Sequence, residues 1–156
     1  MNRTLTENEL KNRATRIIAA TRFPFVDQTD WGDDYMTITN DNGRRIRGIS
    51  GPDGYIYPSI VITRANTDIQ EIGEVELTSG VTDASVPKWK LMSENAGMGR
   101  RTRKFFLYVP EGTEEKAERL LEENGIEYAG LRTWAVRDGR LVVTPIKTPD
   151  SPEDHR

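Results

Sequence analysis

The stretch Ile69-Gln-Glu-Ile-Gly-Glu-Val-Glu-Leu77 reads as a buried strand, yet it carries Glu74 and Glu76 one residue apart. In an extended chain alternate side chains share a face, so Glu74 and Glu76 project together while Val75 turns to the other side. At the rise of a strand they stand roughly 6 to 7 Å from each other. Left dry and without a partner the two carboxylates repel, and at least one holds its proton more tightly. Their charge calls for a metal ion, a basic side chain or water. One arrangement that meets this demand is a solvent-washed strand face, on which both acids pair with Arg44, Arg45 or Arg47 across the sheet.

Composition narrows the chemistry that such a pair can join. The chain has no Cys, and its single His, His155, stands next to last. Zinc-thiolate sites, cysteine nucleophiles and histidine triads are therefore excluded or remote. Acid-base or metal chemistry is left to carboxylates, Lys, Arg, Tyr and Ser, which favours hard cations such as Mg or Mn. A formal net charge of -3 opposes retention on nucleic acid by bulk positive charge, though it permits a local basic patch. With 156 residues, 35% hydrophobic and 30% charged, the chain suits one soluble domain over 1–146. The tail 147–156, rich in Pro, Asp and Glu, is expected to be disordered. No apolar run approaches a bilayer span and Met1 to Leu10 has no signal-peptide character, so a cytoplasmic location is expected.

Along the chain, Thr6 with Glu9 forms a capping-box pattern that opens a helix to about Ala20, ended by Phe23-Pro24-Phe25. An acidic connection containing Trp31 follows. The period then changes to two over Tyr35–Thr39, and Asn42-Gly43 predicts a hairpin into Arg44–Ile49. Gly51-Pro52-Asp53-Gly54 predicts a second turn, followed by one strand over Tyr55–Thr63 and then the acidic stretch. Pro87 opens a helix to about Asn95. Gly97-Met98-Gly99 and a basic run lead into the strand Phe105–Val109, and Thr113 caps a helix over Glu114–Glu123. Tyr128–Val136 and Leu141–Ile146 read as a closing strand pair, with Tyr128 and Trp134 as core residues rather than base-stacking platforms.

This order, αβββαβαβ, is an α/β (α+β) arrangement in which an antiparallel meander is flanked by helices. With an acid-x-acid on the strand before the middle helix, it resembles the restriction-endonuclease-like fold of the PD-(D/E)XK phosphodiesterase superfamily. The resemblance implies a metal-dependent nuclease acting on nucleic acid, or a catalytically degenerate relative that only binds it. In the family an Asp and a second acid hold the cation, and a Lys two residues later serves the attacking water or the phosphate. Here Glu74 matches the metal-binding acid, while Glu76 stands where the family has Lys. The missing Asp corresponds to Ser59, just before Ile60-Val61-Ile62, and Ser is a poorer ligand for a hard cation.

Further candidates follow from the same resemblance. Asp53 supplies a literal Pro-Asp, although turn chemistry alone accounts for it. Lys88 and Lys90 on the middle helix are candidates for a migrated lysine, against a reading as surface lysines flanking Trp89. Glu9 corresponds loosely to an acid some members add to the metal site, against its capping role. The candidate metal ligands are thus Glu74, Glu76, Glu9 and Asp53. Arg100, Arg101, Arg103 and Lys104 would contact phosphates, against a reading as a solvated loop. Homodimers occur in the family. The rival expectation is a non-enzymatic protein-interaction module that uses the acidic face or a sheet edge.

Overall fold

Ile60-Val61-Ile62 and the run Phe105 to Val109 are buried throughout, as strands covered on both faces must be. The computed structural model describes residues 5–22, 34–65 and 68–151. Its helices are α1 (Glu7–Arg22), α2 (Val86–Asn95) and α3 (Glu114–Glu123). Its strands are β1 (Tyr35–Thr39), β2 (Ile49–Gly51), β3 (Gly54–Ile56), β4 (Ile60–Arg64), β5 (Asp68–Val75), β6 (Phe105–Pro110), β7 (Gly130–Arg137) and β8 (Arg140–Lys147). Six of these strands form one mixed sheet in the order β1-β4-β5-β6-β7-β8, and β2 with β3 makes a separate pair.

The parallel steps β5-β6 and β6-β7 require crossovers, which α2 and α3 supply. Both steps advance in one direction, so right-handed connections put both helices on one face. There Trp89, Met92, Leu120 and Leu121 pack on Ile72, Phe105, Leu107 and Leu131. α1 covers the opposite face, where Ala14 and Ile18 meet Ile60, Ile62, Val75 and Tyr108. The chain is thus a mixed α/β fold with two cores, one on each side of a six-stranded sheet.

Three expectations about the local chain are corrected. Asn42 and Gly43 do form a turn at positive φ, 55° and 75°, but β1 pairs with β4 rather than with the residues that follow. Asn40 is the cause. Its Nδ2 donates to Arg47 O and Pro58 O, and its Oδ1 accepts from Ile46 N and Arg47 N. Residues 41–47 are held as a loop, and the edge of β1 is left to the apolar β4. The single strand expected over Tyr55–Thr63 is divided into β3 and β4, because Pro58 has no N–H for a ladder. The break sets β2 and β3 apart from the main sheet, with Ile49 and Ile56 in the α2-side core.

The third correction concerns the tail. Lys147 still belongs to β8, and Asp150 Oδ1 accepts from the backbone N–H groups of Arg101 (2.8 Å) and Thr102 (3.0 Å). Residues 148–151 are therefore tied to the loop before β6. Phe23-Pro24-Phe25, Trp31 and His155 lie outside the described residues.

Candidate functional site

β5 ends at Val75, and Glu74 and Glu76 stand at that carboxyl end, 4% and 3% exposed. The strand alternation sends both toward the α2 face, the side on which Ile72 packs. Because β4 runs antiparallel with Ile60 opposite Gly73, Ser59 falls beside Glu74. Ser59 donates twice to Glu74 Oε1, from its backbone N–H at 2.8 Å and its hydroxyl at 2.6 Å. The same hydroxyl oxygen accepts from Val75 N at 3.1 Å. The Ser59 hydroxyl thus donates to one residue of β5 and accepts from the next.

Two single-turn 3-10 helices, Thr78–Gly80 and Asp83–Ser85, carry the chain from β5 into α2. A Cβ at Gly80 would run into Glu76 Oε1, so a larger residue there would have to displace this carboxylate. Pro87 stands in the first turn of α2, and the next two residues reach the site. Lys88 Nζ lies 3.1 Å from Glu74 Oε2 and 2.6 Å from Glu76 Oε2. Trp89 donates its indole N–H to Glu76 Oε2 at 2.7 Å. The cation that the paired acids demanded is therefore a side chain of the protein.

The electrostatics follow from this packing. Burial pushes the Glu74 carboxyl up, but Lys88, Lys11 and the Ser59 donors outweigh it and bring it below the usual range. Glu76 is raised, by burial first and by the Glu74 charge second, against the pull of Lys88 and Trp89. Lys88 loses hydration on burial, yet the two glutamates hold its proton more tightly than usual. One ammonium thus serves two carboxylates, and Glu76 is the acid that takes up a proton first.

The remaining candidates are placed elsewhere. Lys90 is exposed on α2, and Asp53 is exposed in the β2–β3 turn, where turn chemistry explains it. Glu9 N–H donates to Thr6 Oγ1 at 3.1 Å, the first half of a capping box, while the Glu9 carboxylate accepts from the Thr6 hydroxyl at 3.1 Å. Among the described residues no group of three Asp, Glu or His side chains gathers to share a metal ion. Of the arginines expected to pair with the acids, Arg44 pairs with Asp41 and Arg45 stands over the Tyr57 ring. Arg100, Arg101, Arg103 and Lys104 precede β6, whose start aligns with Ile72, so they lie at the opposite end of the parallel strands from Glu76. Arg103 donates to Ala96 O at 3.0 Å, and Lys104 N to Gly97 O at 2.8 Å.

Two clefts lead to the site. One, of about 490 Å³, is lined by Lys11, Asn12, Thr15, Asp41, Tyr57 and Ser59. The other, of about 390 Å³, is lined by Tyr55, Ile56, Pro87, Lys88, Lys90 and Leu91. Lys11, Trp89 and the first cleft were not among the expected site features. The signal for the cleft is a polar stripe on α1, Asn8, Lys11, Asn12 and Thr15, at the spacing where a helix carries its buried face. No family model, curated protein or solved structure matches this chain.

Proposed function

We propose that this protein is a nucleic-acid-binding relative of the restriction-endonuclease-like phosphodiesterases in which a lysine ammonium has taken the place of the metal. The observation that carries this reading is Lys88 Nζ, within 3.1 Å of one carboxylate and 2.6 Å of the other. The chain runs α1, β1 to β5, α2, β6, α3, β7 and β8, with the β2–β3 pair and β8 added to the expected order; the α1, β1-β4-β5, α2, β6, α3, β7 succession within it, with Ser59 beside Glu74 on adjacent strands, is what supports the superfamily reading.

The donor set does not fit magnesium or manganese. Such ions need one or two carboxylates with open lone pairs, completed by water or phosphate. Here Glu74 Oε1 already accepts two hydrogen bonds, Glu76 Oε2 faces both an indole N–H and the ammonium, and the Ser59 hydroxyl is engaged on both sides. An incoming ion would have to expel Lys88 and would gain a serine in place of a carboxylate. Binding without turnover is the function this arrangement serves, with the fixed charges holding the strand end in shape.

Two measurements test the reading. Thermal unfolding of the wild type and of Glu74→Gln is compared in millimolar manganese or magnesium and in chelator. A ligand bound only to the folded state stabilises by about 2.7 kcal/mol at a hundredfold excess over its Kd. No metal-dependent shift is expected. A shift abolished by Glu74→Gln, accompanied by strand cleavage, would replace this reading with an active nuclease. Fluorescence anisotropy with labelled oligonucleotides at low salt should show binding that weakens as salt rises. Absence of binding would favour the protein-interaction module instead.

A further inference from the structure

The chain folds back on itself just before β6, and this bend leaves two amides unused. Gly99 N donates to Thr102 O at 2.7 Å and Lys104 N to Gly97 O at 2.8 Å, with Met98 bridged to Arg103 between them. Among the described residues the N–H groups of Arg101 and Thr102 take no main-chain acceptor. They converge instead on Asp150 Oδ1, at 2.8 and 3.0 Å. The Thr102 hydroxyl lies 3.5 Å from the same oxygen. Gly99 gives the carboxylate room, because a Cβ there would stand 2.4 Å from Oδ1. Successive backbone N–H groups in a turn form a concavity that takes an anion, and here the chain's own tail supplies one.

The turn holds more positive charge than this occupant uses. Residues 100–104 are basic at every position except Thr102. Arg103 is committed to Ala96 O. The Arg100, Arg101 and Lys104 side chains make no hydrogen bond or ion pair among the described residues, and both arginines are exposed. Of the acids on the elements beside this loop, Glu71 is buried and Asp68 and Glu94 are exposed, and none pairs with those three cations among the described residues. Asp150 brings a single charge, and its Oδ1 alone meets all three donors. A phosphate group brings up to about two charges and three strong acceptor oxygens. It can keep both amides and still offer oxygens to the guanidinium groups.

We propose that the 99–102 turn is a seat for a phosphate group and that Asp150 closes it as an internal competitor, so that the residues after β8 regulate access. The seat needs only the phosphate and stands independently of the nucleic-acid-binding reading.

Inorganic phosphate titrated into the full chain at constant ionic strength, followed on the amide resonances in proton–nitrogen NMR spectra, tests it. In Asp150→Ala the Arg101 and Thr102 amides should shift saturably. In the wild type the same shift should need about 10- to 100-fold more phosphate, because the competent, open seat is a minor population. Asp150→Asn keeps an acceptor oxygen without the charge and should fall between the two; it carries the test if the alanine variant loosens the turn. In the Asp150→Ala background Arg100→Gln and Arg101→Gln should each weaken phosphate about 2- to 5-fold, and Gly99→Ala should weaken it more than either, because its Cβ enters the seat. Unmoved amides in both Asp150 variants would overturn the proposal. So would an equal response to acetate, equal phosphate affinity in the wild type, or indifference to Gly99→Ala. A short unstructured oligonucleotide that displaces phosphate from these amides places the group in a nucleic-acid backbone, and one that does not places it on a free phosphorylated molecule; the seat stands in either case.

Discussion

Trp134 donates its indole N–H to the main-chain carbonyl of Glu76 at 3.0 Å, tying β7 to the residue after β5 across the intervening β6. Trp89 donates to the carboxylate of the same residue. Glu76 is thus gripped at both ends by indoles from opposite sides of the sheet. A buried acid that shares its counter-charge with a neighbour stays in place only because neutral donors supplement the one ammonium.

Trp89→Phe keeps the apolar ring and removes the donor. The loss should be about 1–3 kcal/mol, the cost of leaving a buried polar group without its partner. Urea denaturation measures it. An unchanged midpoint would show that Lys88 alone satisfies Glu76.

Lys88→Met removes the shared ammonium and leaves two buried carboxylates side by side. At neutral pH it should cost about 3 kcal/mol, the low end for breaking a buried pair, because the lysine side chain is 30% exposed. The pH dependence has a definite sign. Lys88 is raised from 10.5, so its contribution is complete below that value and is lost as pH rises through its folded value. The gap between wild type and variant should therefore narrow in alkali. Tyr128 is also raised, by burial and by its hydrogen bond to Glu122, and it too loses stability as pH rises above 10.0. Measurement in a Tyr128→Phe background isolates the lysine. On the acid side Glu74 is lowered and Glu76 raised from 4.5, so their contributions oppose each other as pH falls.

Ser59→Asp sets a carboxylate against Glu74 Oε1, where two donors now point. Without metal the variant should lose about 1–3 kcal/mol. Manganese at millimolar concentration should restore much of that loss in the variant while leaving the wild type unmoved. A variant indifferent to manganese would show that Ser59 does not stand at the ligand position.

Asn40→Ala deletes the four hydrogen bonds that shape the loop to Arg47. Stability should fall by about 2–3 kcal/mol. Urea denaturation measures the loss. An unchanged midpoint would show that the loop holds its shape without Asn40.

Much of this architecture could be read from local pattern. The cap at Thr6, the strand around Glu74, the α2 and α3 helices and the closing pair β7–β8 all follow from periodicity and turn chemistry. What could not be read are relations between segments. Nothing near Asn42-Gly43 announces that Asn40 will claim the following backbone, or that β4 will take the edge of β1. The same holds for Lys88. Its place beside Trp89 on the helix favoured a surface position, and its position between the two glutamates comes from how the start of α2 packs on the end of β5. The two clefts are assembled from α1, the 40–43 loop, the hairpin and α2, and no single stretch contains them.

The β2–β3 hairpin pairs only Ile49 with Ile56, Ser50 with Tyr55 and Gly51 with Gly54. A ribbon so short has little cohesion of its own and is anchored through Ile49 and Ile56. It is consequently the place where amide hydrogens should exchange first, through an opening that leaves β4 to β7 intact. The element lying between both approaches to the buried charges is thus the one least tied to the cooperative core.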